Sequence, residues 1–169
     1  MIIAELNDPT VDKPISYTDR VTVRVFAFNK NNELAILYIK GEDEFGIRHH
    51  YETIGGGVEP NESFEAAIKR EVMEEIGLDC TIISSVGTII DYYNLIGRRT
   101  ISNYFVVELL PKQYPLNRTE EELTLDMSLK YISVEQALKE LTYNNVISVN
   151  ELIQRRDARA LKYYLKHKK

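Results

Sequence analysis

Three consecutive glycines followed by a run of glutamates constrain this chain more than any other stretch. The segment from Gly55 to Leu78 reads GGGVEPNESFEAAIKREVMEEIGL. Asn61 and Ser63 are residue types that cap helix N-termini, and Gly77 is of the type that most often follows a helix C-terminus. The segment therefore predicts a glycine loop and then one well-bounded helix over residues 64–75.

Within that helix, Glu71, Glu74 and Glu75 stand three and four residues apart. This spacing places their carboxylates on one side of about one turn, where like charges repel. Such a cluster indicates a cation site, because hard divalent ions such as Mg²⁺ prefer oxygen ligands. The alternative is a solvated acidic face, the ordinary meaning of a charge run. The preceding glycines favour the cation site, since glycine lets the backbone approach a ligand closely.

The same residues resemble the Nudix box, a motif written G-x5-E-x7-R-E-U-x-E-E-x-G-U in which U is aliphatic. The matching positions are Gly56, Glu62, Arg70, Glu71, Val72, Glu74, Glu75, Gly77 and Leu78. The flanking segments are similar to the rest of a Nudix domain, so the resemblance extends over residues 21–141. One departure is Ile54, which stands where family members usually carry proline before the glycine pair.

The resemblance implies a fold of the α/β class, the Nudix fold, which is an α/β/α sandwich with a mixed β-sheet. The box helix is expected on one face of the sheet and the later helices on the other. A chain of 169 residues is long enough for one well-cored domain and short for two. We expect an extended N-terminal arm over residues 1–20, a Nudix hydrolase domain over 21–145 and a C-terminal helix over 146–169. That helix carries an apolar stripe and is expected to pack on the domain or on a dimer partner. The stripe comprises Ile153, Ala160, Leu161, Tyr164 and Leu165.

Hydrophobic periodicity predicts the other elements. Strands are expected over residues 2–6, 21–28, 33–39, 48–54, 81–93 and 100–110. Turns are expected over 29–32 and 94–99, polar loops over 41–47 and 111–130, and a capped helix over 133–141.

The resemblance also implies roles for the residues of the box. Glu71, Glu74 and Glu75, with the backbone carbonyl of Gly55, are expected to bind Mg²⁺ or Mn²⁺. Glu71, Glu74 and Arg70 are the candidate catalytic residues, with Arg70 holding the carboxylates in position. The general base is expected to be Glu71 or Glu74, and the alternative is a carboxylate of the later polar loop. The candidates in that loop are Glu120, Glu121, Glu122 and Asp126.

Four further residues are candidate substrate-binding groups. Gly56 and Gly57 leave room for a ligand beside the backbone. Tyr92 and Tyr93 lie in a region that helps to set substrate choice in the family, where aromatic rings can stack on a base. The alternative for the tyrosines is that they simply suit a strand, in which tyrosine is enriched.

The activity implied by the resemblance is hydrolysis of a phosphoanhydride bond in a nucleoside diphosphate linked to a further group X. The substrate would be a nucleoside triphosphate, a dinucleoside polyphosphate or a nucleotide sugar, and the product a nucleoside monophosphate. One alternative is a non-catalytic, nucleotide-sensing relative of the family. Another is a carboxylate-rich calcium-binding or scaffold protein, although the chain lacks the D-x-D-x-D-G loop that would support it.

Composition limits the partners. A net charge of -5 argues against a nucleic-acid scaffold held by bulk electrostatics, and no apolar run approaches the ~20 residues of a membrane span. Cys80 is the single cysteine, and the N-terminus lacks the pattern of a signal peptide. We expect a cytoplasmic protein that binds a small-molecule nucleotide and neither nucleic acid nor membrane. A homodimer is consistent with the family resemblance.

Overall fold

Among the described residues, strands dominate the first two thirds of the chain, and two of the three helices follow them. A computed structural model describes residues 1–8, 11–43, 46–117, 125–142 and 149–168. The strands are β1 (Ile2–Asn7), β2 (Thr18–Phe28), β3 (Leu34–Asp43), β4 (Gly46–Glu52), β5 (Leu78–Tyr93), β6 (Arg98–Gln113) and β7 (Asp126–Ile132). The helices are α1 (Phe64–Ile76), α2 (Val134–Thr142) and α3 (Val149–His167), with a short 3₁₀ turn at Asn94–Ile96.

The described strands form one mixed sheet in the order β1-β5-β6-β2-β3-β4, and β7 also pairs with β3. The pairs β1/β5 and β2/β6 are parallel, and the others are antiparallel. The longest parallel register joins Thr18–Phe28 to Arg98–Glu108. This pairing brings β2, which precedes the glycine loop, beside the hairpin that follows α1.

The sheet splits where β2 leaves β3. These two strands pair only at Ala27 with Ala35 and Phe28 with Leu34. From Leu37 onward β3 pairs with β4 instead. Because β7 occupies the other edge of β3, β2 and β4 share one edge in succession and must diverge. The segment after β4 enters this split and bridges back to β2, with Val25 opposite Ile54 and Thr22 opposite Gly57.

Two apolar cores lie on opposite faces of the sheet, as alternation along β2 requires. Val23, Val25 and Ala27 pack in one core with Ile68 and Val72 of α1. Phe26 packs in the other core with side chains of α2 and α3, among them Leu141, Ala160 and Leu161. The α/β/α sandwich with a mixed sheet is therefore confirmed.

Most predicted elements are present with shifted ends, but two predicted loops are wrong in extent. The loop expected over residues 41–47 is mostly strand, with Gly41 paired to Arg48 and Asp43 to Gly46. Cross-strand pairing satisfies the backbone there even though the side chains are polar. The loop expected over 111–130 is shorter, because β6 runs to Gln113 and β7 starts at Asp126. None of the helices in the described ranges combines the length and apolar character that a membrane span needs.

Candidate active site

Helix α1 begins and ends where its capping residues predict. The Ser63 hydroxyl accepts a hydrogen bond from the amide of Ala66 at 3.1 Å. Gly77 has a φ of 68°, and its amide donates to the carbonyl of Met73 at 2.9 Å. These caps satisfy backbone groups that the helix would otherwise leave unpaired. They place Glu71, Glu74 and Glu75 in the last two turns of the helix.

Arg70 connects the carboxylates of α1 to the loop before the helix. Its Nη1 donates to Glu71 Oε1 at 2.7 Å and to Glu74 Oε2 at 3.0 Å. Its Nε and Nη2 donate to the two oxygens of Glu62, both at 2.9 Å. Nη2 also donates to the carbonyl of Gly57 at 2.8 Å. A planar guanidinium with several fixed donors can hold these three carboxylates and the carbonyl in one geometry. The hydrogen bond to Glu62 is the main cause that raises the pKa of Arg70.

Glu71 and Glu75 lie on the buried side of α1, with exposures of 6% and 3%. Burial raises the pKa of Glu71, although Arg70 opposes that shift. Burial and then the charge of Glu71 raise the pKa of Glu75 well above its ordinary value. Two carboxylates are thus held side by side where their ionised forms are costly. A cation at this place would lower that cost.

The glycine loop approaches these carboxylates too closely for side chains. The Gly55 amide donates to Glu75 Oε2 at 2.8 Å, and Gly55 has a φ of 132°. A Cβ atom at Gly56 would lie 2.5 Å from Glu71 Oε1. The amides of Val23 and Val25 on β2 donate to the carbonyls of Gly56 and Ile54 at 3.0 and 2.9 Å. The loop is therefore fixed to the sheet on one side and to α1 on the other.

The donor set of this region fits a hard divalent cation. It offers carboxylate oxygens from one helix, two of them on buried side chains, beside a backbone loop that no side chain obstructs. In the geometry of the described residues, no group of three or more acidic, histidine or cysteine side chains converges as metal ligands do. Arg70 Nη1 instead bonds to both Glu71 and Glu74. An ion at the cluster would compete with these two contacts.

Charged groups from β2 and β4 border the glycine loop. Arg24 Nη1 donates to the carbonyl of Thr53 at 3.0 Å and lies 3.4 Å from Glu52 Oε1. The buried His50 places Nε2 3.0 Å from the other oxygen of Glu52. Burial opposes ionisation of Glu52, but the hydrogen bond from His50 and the charge of Arg24 outweigh it and hold the pKa of Glu52 well below its ordinary value. Arg20 lies near Gly57, where a Cβ would be 3.4 Å from Arg20 Nη2.

The two candidate tyrosines lie on opposite faces of β5, because they are adjacent in a strand. The ring of Tyr92 meets that of Tyr17 edge-on with centroids 5.1 Å apart, and its hydroxyl is 3.4 Å from Glu5 Oε2. Tyr92 thus contacts the N-terminal segment. Tyr93 lies on the face of Asp91, and burial together with the charge of Asp91 raises the pKa of Tyr93. The structure does not bring the two rings together.

The candidate loop carboxylates are not joined to the cluster by any described contact. Asp126 begins β7, where it is paired with Lys40 of β3. Glu120, Glu121 and Glu122 lie outside the described residues.

Sequence patterns did not identify Asp91 and Asp157, two buried acids on the far side of the sheet from α1. Asp91 is fully buried on β5, its carboxylate oxygens have no hydrogen-bond partner among the described residues, and burial raises its pKa to about 6. Asp157 is fully buried on α3 and accepts hydrogen bonds from Thr53. The sequence does mark both residues as buried acids. Asp91 interrupts an apolar strand, and Asp157 follows Ile153 by four residues on the apolar stripe of α3.

A family profile described as NUDIX domain matches residues 18–152. The chain belongs to the Nudix hydrolase family. The match includes the glycine loop, α1 and most of the sheet, and so agrees with the box described above. This Nudix hydrolase is therefore an enzyme by family membership.

Solved structures share the fold of this Nudix hydrolase. A MutT protein from Methanosarcina mazei Go1 aligns with a TM-score of 0.61 at 16% identity, covering 92% of this chain and 100% of that one. A NUDIX hydrolase from Nitrosomonas europaea aligns with a TM-score of 0.65 at 16% identity, covering 90% and 92%. A UDP-X diphosphatase aligns with a TM-score of 0.59 at 17% identity, covering 95% and 68%. No curated protein sequence matches the chain. At these identities the structural likeness concerns the fold.

Proposed function

We propose that this Nudix hydrolase uses Mg²⁺ or Mn²⁺ to hydrolyse a phosphoanhydride bond in a nucleoside diphosphate linked to a further group X. The substrate would be a nucleoside triphosphate, a dinucleoside polyphosphate or a nucleotide sugar, and a nucleoside monophosphate would be released. The observation that carries the proposal is the contact of Glu71 and Glu75, two buried carboxylates of α1, with the glycine loop. The UDP-X diphosphatase that shares the fold acts, by its name, on this kind of linkage.

Glu71, Glu74, Glu75 and the carbonyl of Gly55 are the proposed ligands of the ion. When bound, the ion supplies positive charge where phosphoryl oxygens gain negative charge in the transition state. The hydrogen bonds of Arg70 to Glu71 and Glu74 support a role for Arg70 in holding these carboxylates before the ion binds. Glu62 and the Gly57 carbonyl would then keep Arg70 in place, since both already accept hydrogen bonds from it.

The glycines and basic residues have separate proposed roles. Gly56 and Gly57 would admit the phosphates, because any larger residue at Gly56 would collide with Glu71. Arg20 and Arg24 border the same loop and would attract phosphate oxygens. Tyr93 lies close enough to Arg24 for the charge of Arg24 to act on its pKa. Tyr93 and Tyr92 are the proposed contacts for the base.

A water molecule must lose a proton as it attacks phosphorus. We propose Glu71 or Glu74 as the base that accepts it, because both lie at the cluster and contact Arg70. The side chain of Glu74 is 22% exposed and that of Glu71 is 9% exposed, so Glu74 is more open to solvent. Glu120, Glu121, Glu122 and Asp126 are retained as alternative bases.

The test is product formation from a panel of nucleoside triphosphates, nucleotide sugars, ADP-ribose and dinucleoside polyphosphates, with and without Mg²⁺. The expected result is a nucleoside monophosphate that appears only with the metal ion. Folded protein that turns over none of the panel would contradict the proposal and favour the nucleotide-sensing alternative.

We also propose how the chain is divided, where the protein acts and whether it forms a dimer. The arm over residues 1–20, the catalytic domain over 21–145 and the C-terminal helix over 146–169 are the proposed units of the chain. The protein is proposed to act in the cytoplasm on a free nucleotide, without nucleic acid or membrane, either as a monomer or as a homodimer. Size-exclusion chromatography with light scattering tests the oligomeric state.

A further inference from the structure

A second group of buried polar side chains lies across the sheet from α1, in the core next to α3. It consists of Arg156 and Asp157 on α3, Tyr104 on β6 and Thr53, which follows β4. Each of the four is at most 2% exposed. We call this group the Asp157 cluster. Buried charges persist only where they are paired and hydrogen-bonded, so the contacts of this cluster need a reason.

The carboxylate of Asp157 receives four donors. Its Oδ2 accepts from the Thr53 amide at 2.7 Å and from the Thr53 hydroxyl at 2.9 Å. Its Oδ1 accepts from Arg156 Nε at 2.8 Å and from the Tyr104 hydroxyl. Arg156 Nε also lies 3.0 Å from the Tyr104 hydroxyl. A carboxylate has about four acceptor sites, so this one is saturated and its position is fixed by three elements.

Thr53 passes this constraint to the glycine loop. Its amide is held by Asp157 from α3, and its carbonyl accepts from Arg24 Nη1 of β2 at 3.0 Å. Gly55, two residues later, donates its amide to Glu75 Oε2 at 2.8 Å. A short path of hydrogen bonds and two peptide units therefore links Asp157 to a carboxylate of α1.

We infer that Asp157 is a positioning residue for the active site: by holding Thr53 it sets the place of Gly55 and, through the Gly55 amide, the orientation of Glu75. The inference rests on the proposed function, because Gly55 and Glu75 are proposed ligands of the metal ion. The alternative is that Asp157 only anchors α3 to the sheet. An anchor would affect stability, whereas a positioning residue also affects metal affinity and turnover.

Three variants of the full chain separate these roles. Asp157→Asn keeps the shape of the side chain and removes its charge and one acceptor. Thr53→Val keeps the shape of Thr53 and removes one hydrogen bond between the loop and Asp157. Tyr104→Phe is the control, since it removes buried hydrogen bonds with Asp157 Oδ1 and Arg156 and leaves both contacts between Thr53 and Asp157 Oδ2 in place.

Five quantities are measured for each variant. They are the melting temperature, Mn²⁺ affinity by electron paramagnetic resonance without substrate, kcat and KM on the panel substrate, and hydrogen exchange of the Gly55 amide by NMR. Partners of metal ligands typically contribute about 10–100-fold to affinity or activity. We expect Asp157→Asn to lower Mn²⁺ affinity and kcat by about that factor while KM changes little. Thr53→Val should lower both by about 3–10-fold, the range of one hydrogen bond.

The Gly55 amide should exchange faster in both of these variants. Tyr104→Phe should lower the melting temperature at least as much as Thr53→Val does, yet leave Mn²⁺ affinity and Gly55 exchange near those of the wild type. Equal Mn²⁺ affinity and equal Gly55 protection in Thr53→Val, Tyr104→Phe and wild type would overturn the inference. If Asp157→Asn does not fold, Thr53→Val decides alone.

Failure of the proposed function would look different. In that case the wild type itself would bind no Mn²⁺ and hydrolyse nothing, and the positioning role would fall with the function. A wild type that binds and hydrolyses, with variants that do so equally well, would remove the positioning role alone.

Discussion

Glu71 and Glu75 of α1 and the Asp157 cluster are all buried, yet the charges in these two regions are balanced in opposite ways. On α1, one guanidinium, that of Arg70, is shared by Glu62, Glu71 and Glu74. In the Asp157 cluster, one carboxylate receives four donors. The first arrangement leaves negative charge in excess and suits a region that receives a cation. The second leaves no acceptor site open and suits a region that keeps its shape.

The largest expected effect comes from removing one negative charge from the carboxylates around Arg70. Glu74→Gln deletes a carboxylate without creating a cavity, so we expect the fold to persist. Metal ions contribute several kcal/mol to such transition states, so kcat/KM with Mg²⁺ should fall by about 100-fold or more. Glu65→Gln is the matched control on the same helix, because Glu65 is exposed and contacts Lys69. Steady-state kinetics of both variants check this, and Glu74→Gln activity near that of the wild type would refute the charge-excess interpretation.

The next effect tests whether the glycine loop must contact the carboxylates. In Gly56→Ala the new Cβ would lie 2.5 Å from Glu71 Oε1, so the carboxylate has to move. Misplacement of a catalytic group by about 1 Å can cost 10²-fold, and we expect a loss of about 10–100-fold in kcat/KM. Gly57→Ala is the comparison, since its new Cβ would lie 3.4 Å from the flexible end of the Arg20 side chain. The loss of kcat/KM in Gly57→Ala should be clearly smaller. Equal losses in the two variants would show that the contact with Glu71 is not the cause.

The smallest effect concerns Asp91 on the α3 side of the sheet. Unlike Asp157, this buried carboxylate accepts no hydrogen bond from the described residues. Burial raises the pKa of Asp91 to about 6, so at pH 7 to 8 its ionised form opposes folding. Because the folded pKa is the higher one, this penalty is absent well below the unfolded pKa of 3.8, grows as the pH rises from 3.8 to about 6, and is constant above that. Asp91→Asn should raise the free energy of unfolding by about 1–3 kcal/mol at pH 7.5 and by only a small fraction of that at pH 4. Urea denaturation at both pH values measures it, and a gain that is constant with pH would contradict the assigned cause.

Residue spacing was sufficient to predict α1 and the neighbours of Arg70 along the helix. Ser63, Gly77 and the positions of Glu71, Glu74 and Glu75 follow from local capping and helical period, which act over three or four residues. The loop predicted over residues 41–47 is wrong in extent, because polar side chains indicate exposure and not the absence of cross-strand pairing. The separation of Tyr92 from Tyr93 could have been predicted from strand alternation, whereas their neighbours could not.

By itself, the sequence determined the family, the helix with its carboxylates and the need for glycine near them, because each depends on contacts within a few residues. Only the tertiary structure decided where β2 and β4 diverge, which glycine lies against Glu71, and that Asp157 holds Thr53 from 104 residues away. Such contacts depend on how the sheet splits and how α3 lies across it. Local propensity carries no information on either, since both are set by the packing of two cores on one sheet.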